Sequence, residues 1–191
     1  LQHGKIDAVT GKRLKAARLL MNAGVAGLLA RGNPVSLLIV NYHRIRATGT
    51  ATTAFDDGVF GPDQAEFLRQ TQWLRASTTV LDEDGLLELA GRNGGRRGEL
   101  YSAVTFDDAY ADCFHLARPV LEQVGIRALF FVPIDMIDTR QLGWWDLAAY
   151  LMKRTRRREI SLGGDALDLG TGFAASLRRV LNQFKLRPVE E

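Results

Sequence analysis

Three stretches of this sequence are continuous apolar runs of strand length: Val35 to Tyr42, Tyr101 to Phe106 and Ile126 to Pro133. Thr78 to Leu81 is a shorter candidate of the same kind. A strand without polar alternation suits a parallel sheet covered on both faces, so each long run is expected to be buried on both sides. Segments of helical pattern lie between the runs, and strands alternating with helices predict an α/β class with parallel strands and right-handed crossovers.

The helical segments carry their own punctuation. Asp63 reads as an N-cap with Glu66 three residues on, which predicts a capping box and a helix through Arg75 presenting Phe67, Trp73 and Leu74. Asp82 to Ala90 is a second helix stopped by Gly91, and Arg92 to Gly98 is a Gly/Arg-rich connector. Phe114 to Val124 is a third, with Pro119 in its first turn and Gly125 as its C-terminal stop. Further helices are expected from Gly143 to about Lys153 and from Phe173 to Phe184. Between these two, Ile160 to Leu169 predicts a small hairpin around Gly163-Gly164, polar on both sides. Ala47 to Pro62 reads as a long loop, and Phe55-Asp56-Asp57-Gly58 inside it as a turn, because no apolar strand precedes it.

At 191 residues, with 46% hydrophobic and 25% charged residues, the chain is long enough for one domain with a substantial core. Residues 1–33 are read as an amphipathic helix and linker, and residues 34–191 as the domain proper. The helix, Lys12 to Arg31, has the proportions of a signal peptide, but no small-x-small cleavage site follows it. Membrane-surface association stays open, and a cytoplasmic or membrane-associated setting is favoured over secretion. The net charge of +3 and the run Lys153-Arg154-Thr155-Arg156-Arg157-Arg158, without interleaved aromatics, argue against a nucleic-acid partner. Cys113 is the only cysteine, which excludes an intrachain disulfide framework and a cysteine metal cage.

The chemistry-bearing feature is the end of the run Ser102-Ala103-Val104-Thr105-Phe106, where Asp107 and Asp108 follow one another. Adjacent residues at a strand end point apart, so one carboxylate can hold a metal while the other handles a proton. Two acids followed by a small residue are also an ordinary way to leave a strand, and spacing alone leaves that turn reading open. His43-Arg44 marks a second strand end that carries functional groups.

The order of these landmarks resembles the polysaccharide deacetylases, the NodB-homology or carbohydrate esterase 4 family. Thr105-Phe106-Asp107-Asp108-Ala109-Tyr110 matches five of the six residues of the family's Thr-Phe-Asp-Asp-Gly-Tyr segment. Tyr42-His43-Arg44-Ile45 is similar to its early Tyr-His-Arg strand, Pro119 to Val132 to the helix and strand after the motif, and Trp144-Trp145-Asp146 to a segment of one bacterial branch. The resemblance implies an incomplete deformed (β/α) barrel and metal-dependent hydrolysis of N- or O-acetyl groups on a polysaccharide. It also implies Asp107 as the catalytic base and Asp108 as a ligand of a divalent metal, zinc ahead of nickel or cobalt. An amide resists hydrolysis, and a metal lowers the pKa of bound water to about 7 and polarises the carbonyl.

The chain departs from the family where the metal needs a histidine pair four or five residues apart. His3, His43 and His115 are its only histidines, and no two have that spacing. The resemblance places the pair after a helix like Ser176 to Phe184, so this chain is expected to be the N-terminal portion of such a domain, inactive and poorly soluble alone. His115 is expected at the surface, whereas His43, on the same face as Asp107, is a candidate second-shell or substrate-site residue. Ala109 replaces the family's glycine, and if that position needs φ > 0 it carries about 1 kcal/mol of strain. Two alternatives stand beside this reading. One is a non-catalytic carbohydrate- or partner-binding remnant of the same fold. The other is magnesium-dependent phosphoryl transfer, for which the chain has no glycine-rich phosphate loop.

Overall fold

The computed structural model describes residues 35–50, 53–91 and 94–185. The expected N-terminal helix at 12–31 lies outside them. Strands β1 (Ser36–Tyr42), β2 (Arg44–Arg46), β3 (Phe60–Asp63) and β4 (Thr79–Val80) come first, with helix α1 (Gln64–Ser77) between the last two. Helix α2 (Glu83–Ala90) leads to β5 (Leu100–Asp107), and a single π turn at Cys113–Ala117 runs into α3 (Arg118–Val124). After β6 (Leu129–Phe131) come α4 (Ile134–Thr139), α5 (Trp144–Arg154), the hairpin β7 (Glu159–Leu162) and β8 (Asp165–Asp168), and α6 (Phe173–Lys185).

All four expected strands pair in parallel, and β5 is the hub. It pairs with β1 along its whole length, with β4 at its start and with β6 at its end. Paired on both edges, β5 is buried from Tyr101 to Phe106, and its buried hydroxyls have partners, Ser102 bonding Thr78 at 2.6 Å and Thr105 bonding Asn41 at 2.9 Å. The other two long runs depart from expectation. Leu37, Leu38 and Ile39 of β1 are exposed, as are Phe130, Phe131 and Val132. The cause is topological. Strands β1 and β6 each pair only with β5 among the described residues, so their outer edges and part of their faces have nothing to pack against. The sheet is an open parallel α/β layer, and its closure into a barrel is not seen among the described residues.

Helix α1 follows the sequence closely, with the Asp63 carboxylate accepting the Glu66 amide at 2.8 Å. Gly125 ends α3 in the left-handed conformation at φ 72°, where a residue without Cβ is favoured. In the segment read as one long loop, Phe60–Asp63 instead pairs as β3 with β2, while Asp57–Val59 forms a 3-10 turn with Asp56 at its N-cap. A second correction concerns the hairpin. Leu167 is buried, and Ile160 and Leu162 pack with it against α5 and α6, so only one face is polar. Three apolar residues spread over two short strands read as polar until the facing helices cover them.

Lys153 ties α5 to the loop that precedes β3. Its ammonium donates to the carbonyls of Thr53 (2.9 Å) and Phe55 (2.5 Å) and to Asp57 Oδ2 (2.8 Å). Burial pushes the Asp57 carboxyl up, but the bond from Lys153 and those from Thr53 outweigh it, leaving the pKa below the usual carboxylate value. A lowered folded pKa contributes stability above the unfolded value of about 3.9 and loses it as pH falls through the folded one. Lys153→Met is therefore expected to flatten the acid limb of a stability-pH curve below about pH 4. An unchanged limb would show that the Lys153 bonds contribute nothing to it.

Candidate active site

The parallel pairing of β1 with β5 brings two strand ends together. Asn41 stands opposite Thr105 and Tyr42 opposite Phe106, so His43 and Asp107 emerge side by side. The residues just before them are locked by packing. Phe106 is fully buried, stacked on Tyr42 (5.5 Å) and Phe130 (4.9 Å) and edge-on to Phe67 (5.8 Å). Beneath them Tyr42 donates its hydroxyl to Gln70 at 2.8 Å, and burial raises its pKa to about 12.

The Asp107 carboxylate accepts a hydrogen bond from Asn41 Nδ2 at 2.8 Å, and Asn41 Oδ1 accepts one from the Thr105 hydroxyl at 2.9 Å. The second bond fixes which end of the Asn41 amide faces Asp107. His43 Nε2 lies 3.7 Å from the same Asp107 oxygen, an ion-pair distance if the imidazole is protonated.

Asp108 begins a reversed turn, with φ 66° at Asp108 and 49° at Ala109. The Asp108 carboxyl is partly buried. Burial pushes its pKa up, His43 draws it down, and Asp107 and Asp146 push it up again, with a net rise. Ala109 therefore occupies the left-handed region that the glycine at this position would tolerate. Ala109→Gly is expected to stabilise the fold by about 0.5–1 kcal/mol in denaturant unfolding. A loss of stability would mean that Ala109 is not strained.

The turn is anchored on its far side. Asp112 accepts from Arg44 Nε at 2.8 Å and from the Ile45 amide at 3.0 Å. The Arg44 guanidinium lies between the Phe60 and Tyr110 rings, 4.2 and 4.3 Å from their centroids. Tyr110 donates to Asp146 at 2.9 Å and accepts from the Trp145 indole at 2.7 Å. Cys113 is buried and donates to the His43 carbonyl at 3.2 Å, and burial and Asp112 raise its thiol pKa to about 12, which makes it a poor nucleophile.

Asp107, Asp108 and His43 thus come together at the carboxyl ends of β1 and β5, while His115 is exposed in the π turn against Phe114. Asn41, Arg44, Asp112 and Asp146 surround these residues; the sequence marked Arg44 as a functional group at a strand end and Asp146 only within a family landmark, and gave Asn41 and Asp112 no part. Asn41 left one signal, as the single amide within an otherwise apolar run. As a metal centre the donor set is incomplete. No group of three or more His, Cys, Asp or Glu side chains is gathered among the described residues, whereas a catalytic zinc takes three protein ligands.

No family model matches the chain, and no curated protein does. Solved structures do. IcaB from Ammonifex degensii is 26% identical with a TM-score of 0.41, over 52% of this chain and 40% of that one. The deacetylase PplD from Streptococcus pyogenes, solved with acetate, is 19% identical with a TM-score of 0.45, over 62% and 53%. A polysaccharide deacetylase from Bacillus cereus is 20% identical with a TM-score of 0.38, over 63% and 36%. The solved structures that this chain resembles include polysaccharide deacetylases. The chain spans about half or less of the length of each of the three structures above.

Proposed function

We propose that this chain carries the carboxylate side of a polysaccharide deacetylase site, acting on N- or O-acetyl groups of a glycan. The observation that supports this most directly is the setting of the two adjacent carboxyls. Asp107 is held by Asn41 beside His43, and Asp108 follows it at positive φ, partly buried and within the fields of His43, Asp107 and Asp146. Hydrolysis of an acetyl group needs a proton acceptor close to the attacking water, and we assign that role to Asp107. His43, 3.7 Å away, stabilises the carboxylate when protonated.

Asp108 is proposed as one ligand of a divalent metal, zinc ahead of nickel or cobalt. When bound, such an ion polarises the acetyl carbonyl and activates water. One carboxylate with a neighbouring histidine falls short of the three ligands such a centre takes, so the part of Asp108 is limited to that of a single ligand.

The test is acetate release from N- and O-acetylated oligosaccharides by the native protein, with the divalent metal content of the same preparation measured. Acetate release together with stoichiometric metal supports the proposal. Oligosaccharide binding with neither would favour the non-catalytic carbohydrate-binding reading.

A further inference from the structure

Asp146 is 1% exposed, the most deeply buried carboxylate among the described residues, and it lies in the first turn of α5, where the helix dipole favours a negative charge. A buried charge persists only when it is paired and hydrogen-bonded. Its partners come from three separate segments. Oδ2 accepts from the Tyr110 hydroxyl at 2.9 Å and stands 3.8 Å from Arg44 Nη1, and Oδ1 accepts from the Asp56 amide at 3.2 Å.

Two of these segments lead straight to the carboxylate pair. Tyr110 follows Asp108 by two residues, across the turn in which Asp108 and Ala109 are held at positive φ. Arg44 follows His43 directly and, through Asp112, holds the far end of the same turn. The third partner, Asp56, belongs to the loop that Lys153 clamps from α5, the helix that carries Asp146. One carboxylate on a helix far along the chain therefore fixes both sides of the Asp107–Asp108 turn. We infer that Asp146 is a positioning residue, holding the Asp108–Ala109 turn against its own strain through Tyr110 and Arg44. This rests on the reading of Asp107 and Asp108 as the reacting pair.

Two backbone amides report on the turn. Cys113 N donates to the Tyr110 carbonyl at 3.0 Å, and Ile45 N donates to Asp112 Oδ1 at 3.0 Å. Hydrogen exchange of the full chain separates local loosening from general loss of stability. In Asp146→Ala both amides are expected to exchange about tenfold faster or more, while the β1–β5 ladder amides keep their rates. Asp146→Asn, which keeps an acceptor for Tyr110, is expected to return Cys113 toward the wild-type rate. Tyr110→Phe is expected to speed Cys113 alone, and the double variant Asp146→Ala/Tyr110→Phe to speed Cys113 no more than Asp146→Ala does. Acceleration spread equally over the β5 ladder, or unchanged rates at Cys113 and Ile45, would overturn the inference.

The readout needs neither metal nor substrate. If this pattern is seen and the native protein releases no acetate, the deacetylase reading is lost and the positioning role kept. If acetate is released, Asp146→Ala is expected to lower kcat about tenfold with KM within about threefold, because a displaced turn misplaces the base without removing the binding surface.

Discussion

Phe106→Ala lowers the unfolding free energy by about 3–5 kcal/mol, the largest single effect expected in this chain. The ring is fully buried at the meeting point of β1, β5, α1 and β6, in contact with Tyr42, Phe67 and Phe130. Deleting it removes both the transfer energy of a large aromatic and its ring contacts, and β5, paired on both edges, has little freedom to collapse into the space. Domains of this size are stable by only about 5–15 kcal/mol, so the variant is expected to be marginal or unfolded at 37 °C. Urea unfolding measures the loss. A cost below about 1.5 kcal/mol, the range of a tolerated core swap, would mean that this cluster is not the packing centre.

The second large effect concerns chemistry rather than stability. Asp107→Asn is expected to lower kcat for acetate release by about 10²–10⁴-fold with little change in KM, the range for losing a general base. Asparagine has the same shape and can still accept the hydrogen bond from Asn41, so the folded structure and its melting temperature are expected to change little. The change removes the basic oxygen and spares the geometry. Full activity in Asp107→Asn would exclude this residue as the base and move attention to His43. Asp108→Asn provides the comparison. It should lower metal content as well as kcat, whereas Asp107→Asn should leave metal content near the wild-type level. Parallel effects of the two variants on metal content would contradict the separate roles proposed for them.

The same region shows how local and distant forces combine. A positive φ at Ala109 is unfavourable for any residue with a Cβ. The compensation is tertiary, through Tyr110 on Asp146 and Asp112 on Arg44 and Ile45. Ala109→Gly and Asp146→Ala should therefore act in opposite directions on the same turn, and relieving the strain should make the anchor less needed.

The sequence by itself determined the α/β class, the four parallel strand segments, most helix boundaries and the placement of Asp107, Asp108 and His43 at strand ends. Those features are local. Apolar runs, caps such as Asp63 and stops such as Gly125 act through neighbours a few residues away, whereas the alternation expected to separate Asp107 from Asp108 ends with β5 at Asp107, and Asp108 is set by the turn. Burial of β1 and β6 was not legible, because an apolar run declares what it prefers and only the sheet order shows whether a neighbour is there to cover it. The pairing of β2 with β3 and the covered face of the hairpin were missed for the same reason. Nor could the sequence show that Asn41 orients Asp107 or that Asp146 anchors Tyr110, since these partners lie 66 and 36 residues apart. Such contacts depend on strand register and helix docking, and no local propensity encodes them. Only the tertiary structure turned two adjacent aspartates, which alone could have been a turn, into a held and oriented pair.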